Sequence, residues 1–208
     1  MAEPVPIVHV VDDDDSVRAA VVRLLRAGGF ETRAYRSAVE FLLAERPQTP
    51  GCIVLDVRMP GLSGMDLHRR LAKEEGALPV IFLTGKGDIP MSVFSIKAGA
   101  VDFLVKPARG ETLLRAVRAA VERDVDNRKA LGQLRDLRSR YECLTARERE
   151  VFARVAQGRL NKQIAAELGT SERTIKAHRA QVMDKMRARS VAELVRAADQ
   201  LGNASTPA

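Results

Sequence analysis

Cysteine is scarce in this chain: Cys52 and Cys143 are the two thiols in 208 residues. They make neither a disulfide framework nor a C-x-x-C metal site, so a reducing cytoplasm is the expected setting. No apolar run approaches the ~18–20 residues that span a bilayer, and no membrane role is expected. The opening Met1-Ala2-Glu3-Pro4-Val5-Pro6 lacks a basic stretch followed by an apolar one, so no secretion signal is expected. Internal repeats and low-complexity tracts are missing. A G-x-x-x-x-G-K-[ST] loop and a G-x-G-x-x-G fingerprint are missing too, which argues against a nucleotide site. What remains is ordinary globular composition, 46% hydrophobic and 29% charged. The length suits one or two domains of ~100–200 residues.

Charge is distributed unevenly. Residues 1–124 hold 17 Lys+Arg against 17 Asp+Glu, whereas residues 125–208 hold 17 against 10, so the whole net charge of +7 sits in the last 84 residues. A neutral first part and a basic second part suggest two modules with different partners. A compact basic module suits a polyanion such as nucleic acid; a basic solvated surface is the plainer alternative.

The first part alternates between two periodicities. Apolar runs at Ile7–Val11, Glu31–Tyr35, Cys52–Leu55, Val80–Leu83 and Phe103–Val105 predict strands. Helical spacing predicts helices at Ser16–Ala27, Ala38–Ala44, Met65–Lys73, Met91–Ala98 and from Glu111 onward. Five β/α alternations imply a parallel sheet with helices on both faces. From Leu113 to Arg140 the pattern stays helical and becomes strongly charged, which fits one long helix or two linking the modules. The remainder is all helix. Thr145 with Glu148 forms a capping box, Asn161–Leu168 stops at Gly169, Ser171 caps a helix to about Met186, and Val191–Leu201 closes the series. A short helix, a turn containing glycine and a capped basic helix form a helix-turn-helix.

In such sheets, ligands bind at the carboxyl ends of the strands. There the chain carries Asp12, Asp13, Asp14 and Asp15 after the first strand, Asp56 after the third, Thr84 after the fourth and Lys106 after the fifth. Asp15 is expected to cap the following helix. Carboxylates crowded into one cleft repel one another and stay ionised around a divalent cation, for which hard oxygen ligands favour Mg²⁺. A carboxylate that touches both cation and lysine is placed to attack a phosphoryl group, which the threonine and lysine then bond. An aspartyl phosphate on Asp56 is the expectation.

These residues carry a resemblance. Val10-Val11-Asp12-Asp13, Asp56-Val57-Arg58-Met59-Pro60-Gly61, Leu83-Thr84-Gly85 and Phe103-Leu104-Val105-Lys106-Pro107 resemble the receiver domain of two-component response regulators. The stretch Thr84-Gly85-Lys86-Gly87-Asp88-Ile89-Pro90-Met91 is most similar to the FixJ branch. The resemblance implies a flavodoxin-like (βα)5 α/β receiver phosphorylated on Asp56 by a sensor histidine kinase. It implies Mg²⁺ held by Asp12, Asp13, Asp56 and the backbone carbonyl of Arg58. Thr84 and Lys106 would bind the phosphoryl group, and Phe103 matches the family's aromatic switch position. Two residues depart from the pattern: Lys86 stands where FixJ-like chains often have histidine, and Ala108 where phenylalanine is usual.

The segment from Leu144 to Leu194 resembles the LuxR-type four-helix DNA-binding domain, with Asn161-Lys162-Gln163-Ile164-Ala165 and Ser171 to Arg179 as specific matches. At ~100° per residue, Ile175, Val182 and Met186 share an inward face. Arg173, Lys176, Ala177, Ala180 and Gln181 lie opposite, where lysine can donate to guanine and alanine can meet thymine methyls. Thr174, His178, Arg179, Asn161 and Lys162 are assigned to phosphates. A packed histidine at His178 and a protein–protein role for these helices remain the plainer alternatives.

The expectation is therefore a receiver over residues 1–122, a helical linker over 123–141 and a helix-turn-helix domain over 142–208. Its function would be a cytoplasmic transcription regulator switched by phosphorylation, and not an enzyme beyond its own Mg²⁺-dependent phosphorylation and dephosphorylation. The partners implied are double-stranded DNA, a histidine kinase, a second copy of the chain on phosphorylation, and RNA polymerase. A metal-dependent phosphohydrolase using Asp56 is disfavoured, since Arg58 stands where a general acid is needed. A degenerate receiver is disfavoured because the acids, Thr84 and Lys106 are all present.

Overall fold

The computed structural model describes residues 5–45, 47, 49–85 and 101–203. The chain divides into two compact units, Met1–Lys129 and Ala130–Ala208. The helix expected at Met91–Ala98 and the departure at Lys86 lie outside the described residues.

In the first unit, strands β1 (Ile7–Val11), β2 (Glu31–Tyr35), β3 (Gly51–Asp56), β4 (Val80–Thr84) and β5 (Asp102–Val105) form one sheet in the order β2-β1-β3-β4-β5. Every pairing is parallel. Helices α1 (Asp15–Ala27), α2 (Ala38–Leu43) and α3 (Gly64–Leu71) intervene. Successive residues of a strand point to opposite faces, and here both faces are covered. Val8, Val10, Cys52, Val54, Ile81 and Leu83 pack against Leu25 of α1 and against Leu113, Val117 and Val121. Val11, Ile53, Leu55, Val80 and Phe82 meet Phe41 of α2 and Leu67 and Leu71 of α3. Burial on both faces is why these strands read as unbroken apolar runs. Cys52 is buried, and burial raises its thiol pKa to about 12; Cys143 is exposed.

The stretch expected as one helix or two is a single helix α4 (Gly110–Glu142). Four further helices follow: α5 (Ala146–Ala156), α6 (Asn161–Glu167), α7 (Glu172–Lys185) and α8 (Val191–Asn203). The second unit has its own core of Val151, Phe152, Val155, Ile164, Ile175, Val182, Met186 and Leu194. The capping box at α5 is complete: Thr145 Oγ1 accepts from Glu148 N–H, and the Glu148 carboxylate accepts from Thr145 N–H at 2.8 Å. Among the described residues, no helix is long and apolar enough to cross a membrane.

Candidate functional site

β1 lies between β2 and β3, so the chain departs to opposite sides of it. This is the topological switch point, beside which parallel sheets open a cleft at their carboxyl ends. Register brings the acids there: Val11 pairs with Leu55, so Asp12 and Asp56 both follow that rung, while Asp56 itself pairs with Leu83 and Thr84 with Val105. Carboxylate oxygens of Asp12, Asp13 and Asp56 lie within 4.8 Å of one another. Asp12 and Asp56 are buried and Asp13 is exposed. The Lys106 ammonium joins the pair, donating to Asp12 Oδ2 at 2.6 Å and meeting Asp56 Oδ1 at 3.1 Å.

Burial pushes the Asp56 carboxyl above its ordinary pKa; Lys106 pulls it down and Asp12 pushes it up again. Burial opposes the charge on Lys106, but its hydrogen bond to Asp12 and the charges of Asp12 and Asp56 outweigh this and hold its pKa above the ordinary value. A crowded carboxylate set of hard oxygens with one ammonium among them fits a divalent cation of the Mg²⁺ kind. Thr84 is buried at the next strand end. Arg58 is exposed in the loop after β3, where it lines a cavity of about 580 Å³ with Met59, Pro60, Ser63 and Arg69. Phe103 is partly buried, with its ring centroid 6.2 Å from that of Phe82.

One expectation is corrected. Asp14, not Asp15, caps α1: it is extended, and its side chain accepts from Ser16 N–H and Val17 N–H. The turn fixes this, because Asp14 N–H donates back to Asp12 Oδ1 at 3.0 Å. Asp15 instead stands in the first helical turn and pairs with Arg18, whose guanidinium also donates to the Asp12 backbone carbonyl. Gly64 escaped the sequence reading. A Cβ there would lie 2.0 Å from the Asp56 carbonyl oxygen, so only glycine lets α3 start against the end of β3. Its one sequence signal was its place just after the capping Ser63. At Ala108, small where the resemblance leads one to expect phenylalanine, the surface opens into a cavity of about 390 Å³ lined by Val17, Val21, Leu24, Pro107 and Leu113.

In the second unit, Ser171 caps α7 by accepting from Thr174 N–H, and its hydroxyl also bonds the Thr174 hydroxyl at 2.9 Å. Ile175, Val182 and Met186 are buried. Arg173, Thr174, Lys176, Ala177, Ala180 and Gln181 are exposed on α7, His178 and Arg179 are half-buried, and Lys162 is exposed at the start of α6. Arg179 donates to Asn161 Oδ1 at 2.9 Å, tying α7 to α6. The exposed face of α7 thus carries Arg173, Thr174, Lys176 and Gln181 together with two small residues, Ala177 and Ala180.

Residues 8–118 match the response regulator receiver domain family, and residues 142–198 match the family of bacterial regulatory proteins of the luxR type. Nodulation protein W of Bradyrhizobium diazoefficiens is 50% identical over 196 residues, covering 94% of this chain and 86% of that protein. Transcriptional regulatory protein FixJ of Rhizobium meliloti is 41% identical over 191 residues, covering 92% of this chain and 94% of that protein. Among solved structures, the response regulator StyR is similar with a TM-score of 0.81 at 43% identity, covering 94% of this chain and 98% of that one.

Proposed function

This chain belongs to the two-component response regulators, a receiver joined to a LuxR-type DNA-binding domain, and we propose that Asp56 is its phosphoryl acceptor. The observation that carries the proposal is the Lys106 ammonium held against both Asp12 and Asp56, with Asp13 beside them. An Asp56 carboxylate oxygen attacks the phosphorus of a phosphohistidine on the sensor kinase. A P–O bond forms, the P–N bond breaks, and the imidazole leaves and takes up a proton. Lys106 and the Thr84 hydroxyl bond the phosphoryl oxygens. Asp12, Asp13, Asp56 and the Arg58 carbonyl would hold Mg²⁺, which neutralises phosphoryl charge when bound.

The phosphoryl group adds roughly −1.5 to −2 of charge, and Thr84 with Phe103 passes that change to a receiver face that pairs with a second copy. Two recognition helices α7 then read a two-fold related DNA site. Lys176, Arg173 and Gln181 meet base edges, with Ala177 and Ala180 against thymine methyls; Thr174, His178, Arg179, Asn161 and Lys162 serve the phosphates. RNA polymerase is the next contact in this scheme, and the cytoplasm its setting. The division proposed is a receiver over 1–122, a linker over 123–141 and a DNA-binding domain over 142–208. The chain is a regulator and not an enzyme acting on an external substrate, though it takes part in its own phosphorylation and dephosphorylation.

The test is labelling with acetyl phosphate and Mg²⁺, followed by footprinting on DNA. Wild-type chain is expected to take up one acid-stable, base-labile phosphoryl group and to protect DNA more strongly. Asp56→Asn is expected to do neither. Equal labelling of both proteins would refute the assignment.

A further inference from the structure

We propose that Asp124 clamps the receiver end of α4 to the foot of β3, and that this clamp sets how much of the Asp56 signal reaches DNA binding. The second half rests on the reading of Asp56 given above. Asp124 continues the buried stripe Leu113, Ala116, Val117, Ala120, Val121, and it is the charged member of that stripe. An apolar side chain would satisfy the packing; a carboxylate 1% exposed demands partners. Its Oδ2 accepts from Gly51 N–H at 2.9 Å, across 73 residues of sequence, and from Arg128 Nε at 2.6 Å. Its Oδ1 is buried and accepts no hydrogen bond among the described residues. Such a half-satisfied group adds little net stability. What it does fix is position, because one carboxylate oxygen holds a strand and a helix together.

The strand it holds is the one that matters. Gly51 is the first residue of β3 and Asp56 the last, so the clamp lies ~17 Å from the acceptor along a single strand. β3 is paired on both edges, to β1 and to β4. At its foot, where Gly51 pairs with Ile7, the two strands pass so close that a Cβ on Gly51 would lie 2.1 Å from the Ile7 carbonyl oxygen, so only glycine fits there. At the other end, Arg128 stands next to the last residue of the first compact unit, while α4 runs on to Glu142. Asp124 touches neither phosphoryl group nor DNA. It is a positioning residue.

The experiment uses the full chain and three variants, Asp124→Leu, Asp124→Asn and Arg128→Gln. Phosphoryl uptake at Asp56, DNA affinity with and without acetyl phosphate, and amide exchange over residues 122–130 are measured. Asp124→Leu is expected to label within twofold of wild type and to bind DNA normally when unphosphorylated. Its phosphorylation-dependent gain in affinity should fall at least fivefold, and exchange over 122–130 should speed up at least tenfold. Asp124→Asn retains an acceptor for Gly51 N–H and should recover at least half of the gain. If Asp124→Leu does not fold, Arg128→Gln decides, with a gain at least halved. A labelled variant that keeps the wild-type gain overturns the signalling half. A wild-type chain that takes no label overturns the Asp56 reading and the signalling half of this one, and unchanged exchange in Asp124→Leu overturns the mechanical half.

Discussion

A single missing methyl group shapes the acidic cleft. Gly64 begins α3 with its Cα against the backbone of Asp56, so Gly64→Ala must displace either the helix or the strand end. We expect a loss of about 1–3 kcal/mol by chemical denaturation and a fall in phosphoryl uptake larger than that loss explains. Asp56 itself costs the unliganded receiver stability, because it is buried beside Asp12 and its folded pKa is raised. Such a group favours folding below its unfolded pKa and loses that contribution as pH rises through the folded value. At neutral pH without Mg²⁺, Asp56→Asn should therefore melt at a higher temperature than wild type, and an equal or lower midpoint would contradict this. Glu148 behaves the opposite way. Hydrogen bonds from Lys185 and from Thr145 N–H hold it below its ordinary 4.5, so its contribution is present above that value and is lost as pH falls through the folded one. Glu148→Gln should flatten the acid limb of a stability–pH curve. The acids, Thr84 and Lys106 were legible in the sequence because each directly follows a short apolar run. Gly64 and Asp124 were not, since what makes them matter is a backbone neighbour in another element, Asp56 for Gly64 and Gly51 for Asp124.

Helices and strands were legible wherever one period dominated. β1 and β2 have the bounds their patterns predict, and the other described elements differ by one or two residues at their ends. Charge-rich α4 was harder, because its apolar positions change partners along its length. Leu113 to Val121 pack on the sheet, whereas Leu137 and Tyr141 join the second core. On the proposed function, α7 carries a packing face and a DNA-reading face on one element. Ile175 is fully buried, so Ile175→Ala should cost about 2–5 kcal/mol of stability in the second unit. Lys176 is exposed on the opposite face, so Lys176→Ala should leave stability within about 0.5 kcal/mol and weaken specific DNA binding by about 1–3 kcal/mol. Calorimetry beside gel-shift titration separates the two, and a matched loss in both would erase the distinction.

Over the whole molecule, the excess positive charge belongs to the last 84 residues, so affinity for DNA should be strongly sensitive to salt. With about six phosphates neutralised per copy, log K should fall against log salt with a slope near −5, roughly doubling for a paired complex. A slope near zero would mean that the basic residues face solvent and not a polyanion. The contrast between the two thiols has a practical consequence. Cys52 lies in the sheet with its proton held by burial, while Cys143 is exposed. An alkylating reagent should therefore modify one sulfur quickly in the native protein and the other only when the sheet opens. The receiver carries its own unfolding gauge, readable by intact mass without any added dye.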